Sequence, residues 1–140
     1  MRLRTRTNAV SWLLSLIYLI ESGCAGHTNV EPIPSELRGL KELSQVYREF
    51  DQKHKRAPKS LKEMKIQGQR DPIAVTMINS GDLIVQWGAP LSAGGEASET
   101  VLAYVKTVPE KGGYVLMQDG KTIKEMTADE FGKASKARNR

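Results

Sequence analysis

The 140-residue chain has one cysteine, Cys24, and two histidines, His27 and His54. A single thiol excludes an intrachain disulfide, so packing alone must stabilise whatever domain is present. Three such side chains are too few and too scattered for a zinc site, which takes three or four ligands at close spacing. They also give no sequence support for a Ser/His/Asp or Cys/His catalytic set. Aromatic residues are sparse, at 6% of the chain, and do not interleave with the basic ones. A nucleic-acid platform sets stacking aromatics inside a basic groove, so that class is excluded. Long apolar runs are missing too. The uncharged apolar run Ala9 to Ile20 rises about 18 Å as a helix against a hydrocarbon core of ~30 Å.

What is present begins with that short run. Arg2, Arg4 and Arg6 precede it, and Ser22-Gly23-Cys24 follows it. A basic flank, a short apolar core and a small-residue exit describe a cleavable signal. With cysteine as the exit residue, the layout is that of a bacterial lipoprotein signal peptide, and Cys24 becomes the lipidated first residue of the mature chain. The arginines are not adjacent, so there is no twin-arginine address. Glu21 stands three residues before Cys24, where the lipoprotein pattern has an apolar side chain. Ordinary cleavage between Cys24 and Gly26 and an uncleaved anchor are the alternatives. Removal of residues 1–23 takes away three arginines and one glutamate. It leaves 18 basic against 15 acidic side chains, a formal charge of +3.

The remaining chain divides into a tether at residues 24–34, an ordered domain at 35–135 and a basic tail at 136–140. The tether holds two prolines and a glycine. Ser35 is the expected N-cap of a long helix. Leu37, Leu40, Leu43, Val46, Tyr47 and Phe50 recur at spacings of three and four and form one apolar stripe. Glu36, Arg38, Lys41, Glu42, Gln45 and Glu49 fill the opposite face. Gly39 either permits a close approach or frays the first turn. The helix should stop before Pro58, with Lys53, Lys55 and Arg56 at its negative end. Pro58 to Met64 reads as a short helix capped by Ser60, with Glu63 in capping-box position. Asp71-Pro72 reads as the start of another, and Ile73 to Ile78 as a helix rather than a strand.

From residue 82 the periodicity is that of strands. Leu83–Trp87, Val101–Lys106, Gly113–Gln118 and Lys121–Met126 are predicted strands. A loop covers Gly88–Ser98, a turn surrounds Pro109, and Asp119-Gly120 is the clearest hairpin signal. Thr127 and Glu130 form a second capping box, opening a last helix with Phe131. The chain after Lys136 is expected to be disordered. The predicted fold class is α+β, a long N-terminal amphipathic helix packed on a small antiparallel β-meander.

This order resembles the globular part of type IV pilins and type II secretion pseudopilins. It is closer still to a set of short planctomycete-type exported proteins with a pilin-like domain. The matching stretches are Leu40 to Tyr47, Ala57 to Met64, Ser80 to Gly88, Leu102-Ala103-Tyr104, Gly112 to Gly120 and Met126 to Phe131, covering roughly residues 36–132. A pilin precursor carries its peptidase site before the apolar helix and a glutamate just inside it. Here the apolar segment comes first and Glu21 follows it. Related proteins often place a histidine ten residues before the Asp-Gly turn, where this chain has Pro109. The resemblance implies fold and export, without filament formation or a binding residue.

Candidate chemistry is thin. His54 reads as a solvated helix-end side chain. Asp71, Asp82, Asp119 and Asp129 read as turn and cap residues. Asp119 lacks the neighbours for the six to eight oxygens of a calcium site. Gly94-Gly95 lacks the lysine and order of a phosphate loop. Trp87, Tyr104 and Tyr114 are expected on one sheet face, where cross-strand aromatics stabilise the sheet or present a partner surface. The expectation is therefore a non-enzymatic envelope protein without metal or cofactor, tethered to the membrane through Cys24. It would act on an envelope protein partner and not on nucleic acid, as a monomer or weak dimer. A pseudopilin-like accessory subunit with residues 9–20 retained as anchor is the alternative.

Overall fold

A computed structural model describes residues 33–64 and 73–138. The expected signal, Cys24, the tether up to residue 32, and Asp71-Pro72 lie outside the described residues. Among those described, no helix is long and apolar enough to cross a membrane.

Helix α1 runs Ser35–His54. The expected cap moves by one residue. Pro34 holds the N-cap position with no side-chain cap, and its carbonyl accepts from the Arg38 amide at 3.1 Å. Ser35 is already helical, and its hydroxyl donates to Glu36. The helix ends as Lys55 turns into the left-handed region, φ 55°, with its N–H on the Asp51 carbonyl. Pro58 forbids continuation. The stripe faces inward: Leu40, Leu43 and Tyr47 are fully buried, together with sheet residues in one apolar cluster. Among the described residues, every buried member of that cluster lies between Leu40 and Ala137.

The short helix expected at Pro58 to Met64 is a turn instead. Glu63 and Met64 donate to the carbonyls three residues back. The Glu63 carboxylate takes the Lys59 amide at 3.0 Å and the Arg56 guanidinium at 2.7 Å. Both bonds fall on one carboxylate oxygen, which is turned to the amide of Lys59 and not to that of Ser60, so no capping box forms on Ser60. Helix α2 spans Ile73–Ser80, a helix rather than a strand as expected from the Asp71-Pro72 start signal. Its first turn is met from α1, where Glu42 accepts the Ala74 N–H at 3.1 Å. Glu42 is thus not an idle member of the polar face. A carboxylate there opposes the positive end of the helix. Gly39 marks a close approach, since a Cβ would come within 2.6 Å of the Met77 sulfur.

The sheet is an antiparallel meander of β1 Leu83–Val85, β2 Thr100–Val105, β3 Gly113–Met117 and β4 Ile123–Met126, in that spatial order. A four-residue helix α3, Val108–Lys111, replaces the expected turn at Pro109. It closes at Gly112, φ 75°, where a Cβ would lie 2.6 Å from the Met126 carbonyl oxygen. Only glycine satisfies both constraints. Helix α4, Ala128–Lys133, opens on the expected capping box, with Thr127 and Glu130 bonded both ways. The chain end departs from expectation. Ser135–Lys136 forms β5, parallel to Thr100–Val101 of β2, and Ala137 is buried with its N–H on the Val101 carbonyl. Beyond β1, the same side of β2 was open, and this segment fills it.

Substitution Leu43→Ala should cost about 2–5 kcal/mol, because the site has no route to solvent. Gln45, exposed and bonded only to Glu49, should cost under about 0.5 kcal/mol as alanine. Urea unfolding of both variants checks this, and equal losses would mean that α1 does not bury the stripe.

Candidate functional site

The residues singled out from sequence do not converge. Cys24 and His27 lie outside the described residues. His54 is exposed at the end of α1, its ring 4.3 Å from that of Phe50. Among the described residues no three metal-ligating side chains cluster. Gly95 opens a short 3₁₀ turn, Gly95–Ser98.

The aromatic expectation is corrected by the register. Tyr104 stands opposite Val115 and Tyr114 opposite Glu125. Facing residues share a side, and neighbours alternate, so Tyr104 and Tyr114 point to opposite faces. Tyr104 packs against Phe131 of α4 with tilted rings, centroids 4.7 Å apart. Trp87 lies past the end of β1, half-buried against the core.

Asp119 does what a hairpin residue does. One carboxylate oxygen accepts the Lys121 and Thr122 amides at 2.8 Å each, and the other accepts the Thr122 hydroxyl. Partial burial pushes its carboxyl upward. The Thr122 hydroxyl, the Thr122 and Lys121 amides and the Lys121 charge together outweigh this and hold it below the ordinary carboxylate value. These acceptor sites face inward on the turn, which leaves Asp119 a structural anchor.

The chain end lines a concavity with a volume of about 550 Å³. The loop at Pro90–Ser92 and Glu96 makes one wall, and Ser135 to Arg138 the other, with Thr100 and Gln118 between. Gln118 fixes the loop: its amide donates to the Pro90 carbonyl at 2.9 Å, and its own carbonyl accepts the Ser92 N–H. Lys136 is committed elsewhere. Its ammonium donates to the carbonyls of Phe131 and Ala134, which end α4, and sits 3.9 Å over the Phe131 ring. Burial lowers its pKa from the ordinary lysine value. The cleft thus holds hydroxyls and two exposed rim charges of opposite sign, Glu96 and Arg138. It contains no paired nucleophile and base. Such a lining can take an extended polar segment by hydrogen bonds. Sequence reasoning missed it because the chain end had to return beside β2, and a two-residue strand carries no periodicity.

No family model, curated protein or solved structure matches this chain.

The Asp119 geometry sets a pH dependence. Its folded carboxyl is depressed, so its contribution is present above the unfolded value near pH 4 and is lost as pH falls through the folded one. Asp119→Ala should cost about 1 kcal/mol at pH 7 and flatten the loss of stability between pH 5 and 3. Urea midpoints at several pH values test this, and an unchanged acid slope would contradict it.

Proposed function

We propose that this chain is a membrane-tethered, non-enzymatic protein of the bacterial cell envelope, periplasmic or surface-facing. Its α+β domain is pilin-like and acts through contacts with an envelope protein, not with nucleic acid. The observation that carries the reading is the order at the N-terminus. Three arginines, a twelve-residue uncharged run and Ser22-Gly23-Cys24 are followed by a proline-containing spacer, which ends where α1 begins at Ser35. A helix followed by an antiparallel meander supports the pilin-like assignment. The residues written directly before α1 are a proline-containing polar spacer and not an apolar run, which argues for a tethered unit in place of a filament subunit. The ten residues between Cys24 and Ser35 could span at most about 33–36 Å, enough to hold the domain clear of the lipid headgroups.

A second reading draws on Glu21. A charge three residues before Cys24 fits the lipoprotein pattern poorly. With cleavage blocked, residues 9–20 would stay as an anchor, and the chain would serve as a pseudopilin-like accessory subunit of a secretion or pilus assembly.

One experiment separates the two. In the tethered reading, Cys24→Ser releases the domain from the membrane fraction or stalls its processing. One acyl chain binds a membrane only marginally, and the multiple chains of a lipoprotein hold it firmly. The mass of the native N-terminus should show a diacylglyceryl cysteine at position 24. An intact Met1, with Cys24→Ser still tightly membrane-bound and functional, would favour the anchored subunit.

A further inference from the structure

The meander ends on β4, and the register shows which of its backbone groups are in use. Met117 donates to the Thr122 carbonyl. Thr122, Lys124 and Met126 therefore turn their N–H and C=O toward β3, opposite Met117, Val115 and Gly113. Bonding alternates along an antiparallel pair, so Ile123 and Glu125 turn theirs outward. Among the described residues neither group has a backbone partner. The other edge is managed differently. β1 has three residues beside α2, and the turn at Trp87 takes the Val85 carbonyl. β5 occupies the remainder of that side.

An unpaired edge is a template for another strand. A second copy can supply it through a two-fold axis perpendicular to the sheet. That axis keeps each side chain on its own face, so a residue opposes only residues of its own parity. Three centres place the outward groups in register. Centring on Lys124 sets Lys124 against itself. Centring on Glu125 sets Glu125 against itself. Centring on Ile123 sets Ile123 against Ile123 and Lys121 against the second copy's Glu125, twice over. Like charges directly opposed are destabilising and unlike charges favourable. Lys121 and Glu125 are exposed, and Ile123 is half-buried at the rim of the core.

We propose that the outer edge of β4 pairs with a second copy of this chain, antiparallel and centred on Ile123, with Lys121 of each copy facing Glu125 of the other. The Ile123 pair exchanges both of its backbone bonds. Each Glu125 N–H reaches the Lys121 carbonyl across the axis, and the Lys121 N–H stays with Asp119. The Asx turn thus sets where the paired edge begins. This inference rests on the reading that the domain works through protein contacts, and it names a second copy as one such contact. Membrane release by Cys24→Ser and the measurement below are independent, so each reading can fail alone.

The test uses residues 24–140 carrying Cys24→Ser, which keep every buried member of the apolar cluster among the described residues. Sedimentation equilibrium up to about 1 mM, the range of a weak contact, should show a dimer that weakens with salt. Glu125→Lys and Lys121→Glu should each raise the dissociation constant about tenfold or more, with unchanged circular dichroism. An equimolar mixture of the two variants should dimerise like the parent, because each then meets its complement across the axis. A parent that stays monomeric, variants that associate as the parent does, or a mixture no tighter than its components would each overturn the proposal.

Discussion

The fold depends on the buried hydroxyls of α1. Leu40, Leu43 and Tyr47 supply apolar contact, but apolar contact alone would let the helix slide along the sheet. Tyr47 donates to the Ala89 carbonyl at 2.7 Å and Ser44 to the Gly120 carbonyl at 2.7 Å, both buried. Burial, and then the charge of Asp51, raise the Tyr47 phenol, so it remains a donor at any physiological pH. A buried carbonyl that loses its donor costs about 1–3 kcal/mol. These two bonds fix the helix against two segments with few ladder bonds of their own, the loop after β1 and the β3–β4 turn. At Gly120, φ 67°, a Cβ would lie 2.9 Å from Leu91. The same helix thus brings loop and turn together, and the cleft wall at Pro90–Ser92 follows from that meeting.

The parts written in local chemistry were legible. The stripe from Leu40 to Phe50 repeats at helical spacing and needs no tertiary knowledge. The Thr127–Glu130 box and the Asp119-Gly120 turn are short-range devices, complete within four residues. The α+β class follows from the change of period at residue 82. What could not be read depended on distant partners. Ser60 and Glu63 have the spacing of a cap, yet Arg56 and Lys59 claim the carboxylate. Glu42 looks like a solvated helix residue until α2 arrives at its side. Tyr104 and Tyr114 look equivalent until the register assigns them opposite faces. Lys136 has the composition of a tail, and the carbonyls at the end of α4 make it a cap. The cleft was invisible for the same reason, since its two walls are 40 residues apart in sequence.

The surfaces left by this arrangement are unequal. Among the described residues only Ile33 is a large exposed hydrophobic, and it adjoins the spacer. The body of the domain is otherwise polar, with Lys124 and Glu99 paired at 2.9 Å across the far face of the sheet. A polar surface with one open strand edge suits contacts that form and release, in which backbone bonds give register and a few charges give choice. Attachment to a membrane would raise the local concentration of such a module and strengthen a weak contact without adding atoms to it. The proposed tether and the proposed edge are in this sense parts of one device.

The central structural claim is that α1 and the meander form one cooperative unit, joined through Ser44 and Tyr47. Native-state hydrogen exchange of the domain, parent and Tyr47→Phe, tests it most directly. Amides of Leu40 to Phe50 and of β2 and β3 should exchange with a common opening free energy in the parent, and that value should fall by the same amount at all of them in the variant. If α1 exchanges at a lower free energy than the strands, and the variant loses protection in α1 alone, then the helix is a separable element and the account is contradicted.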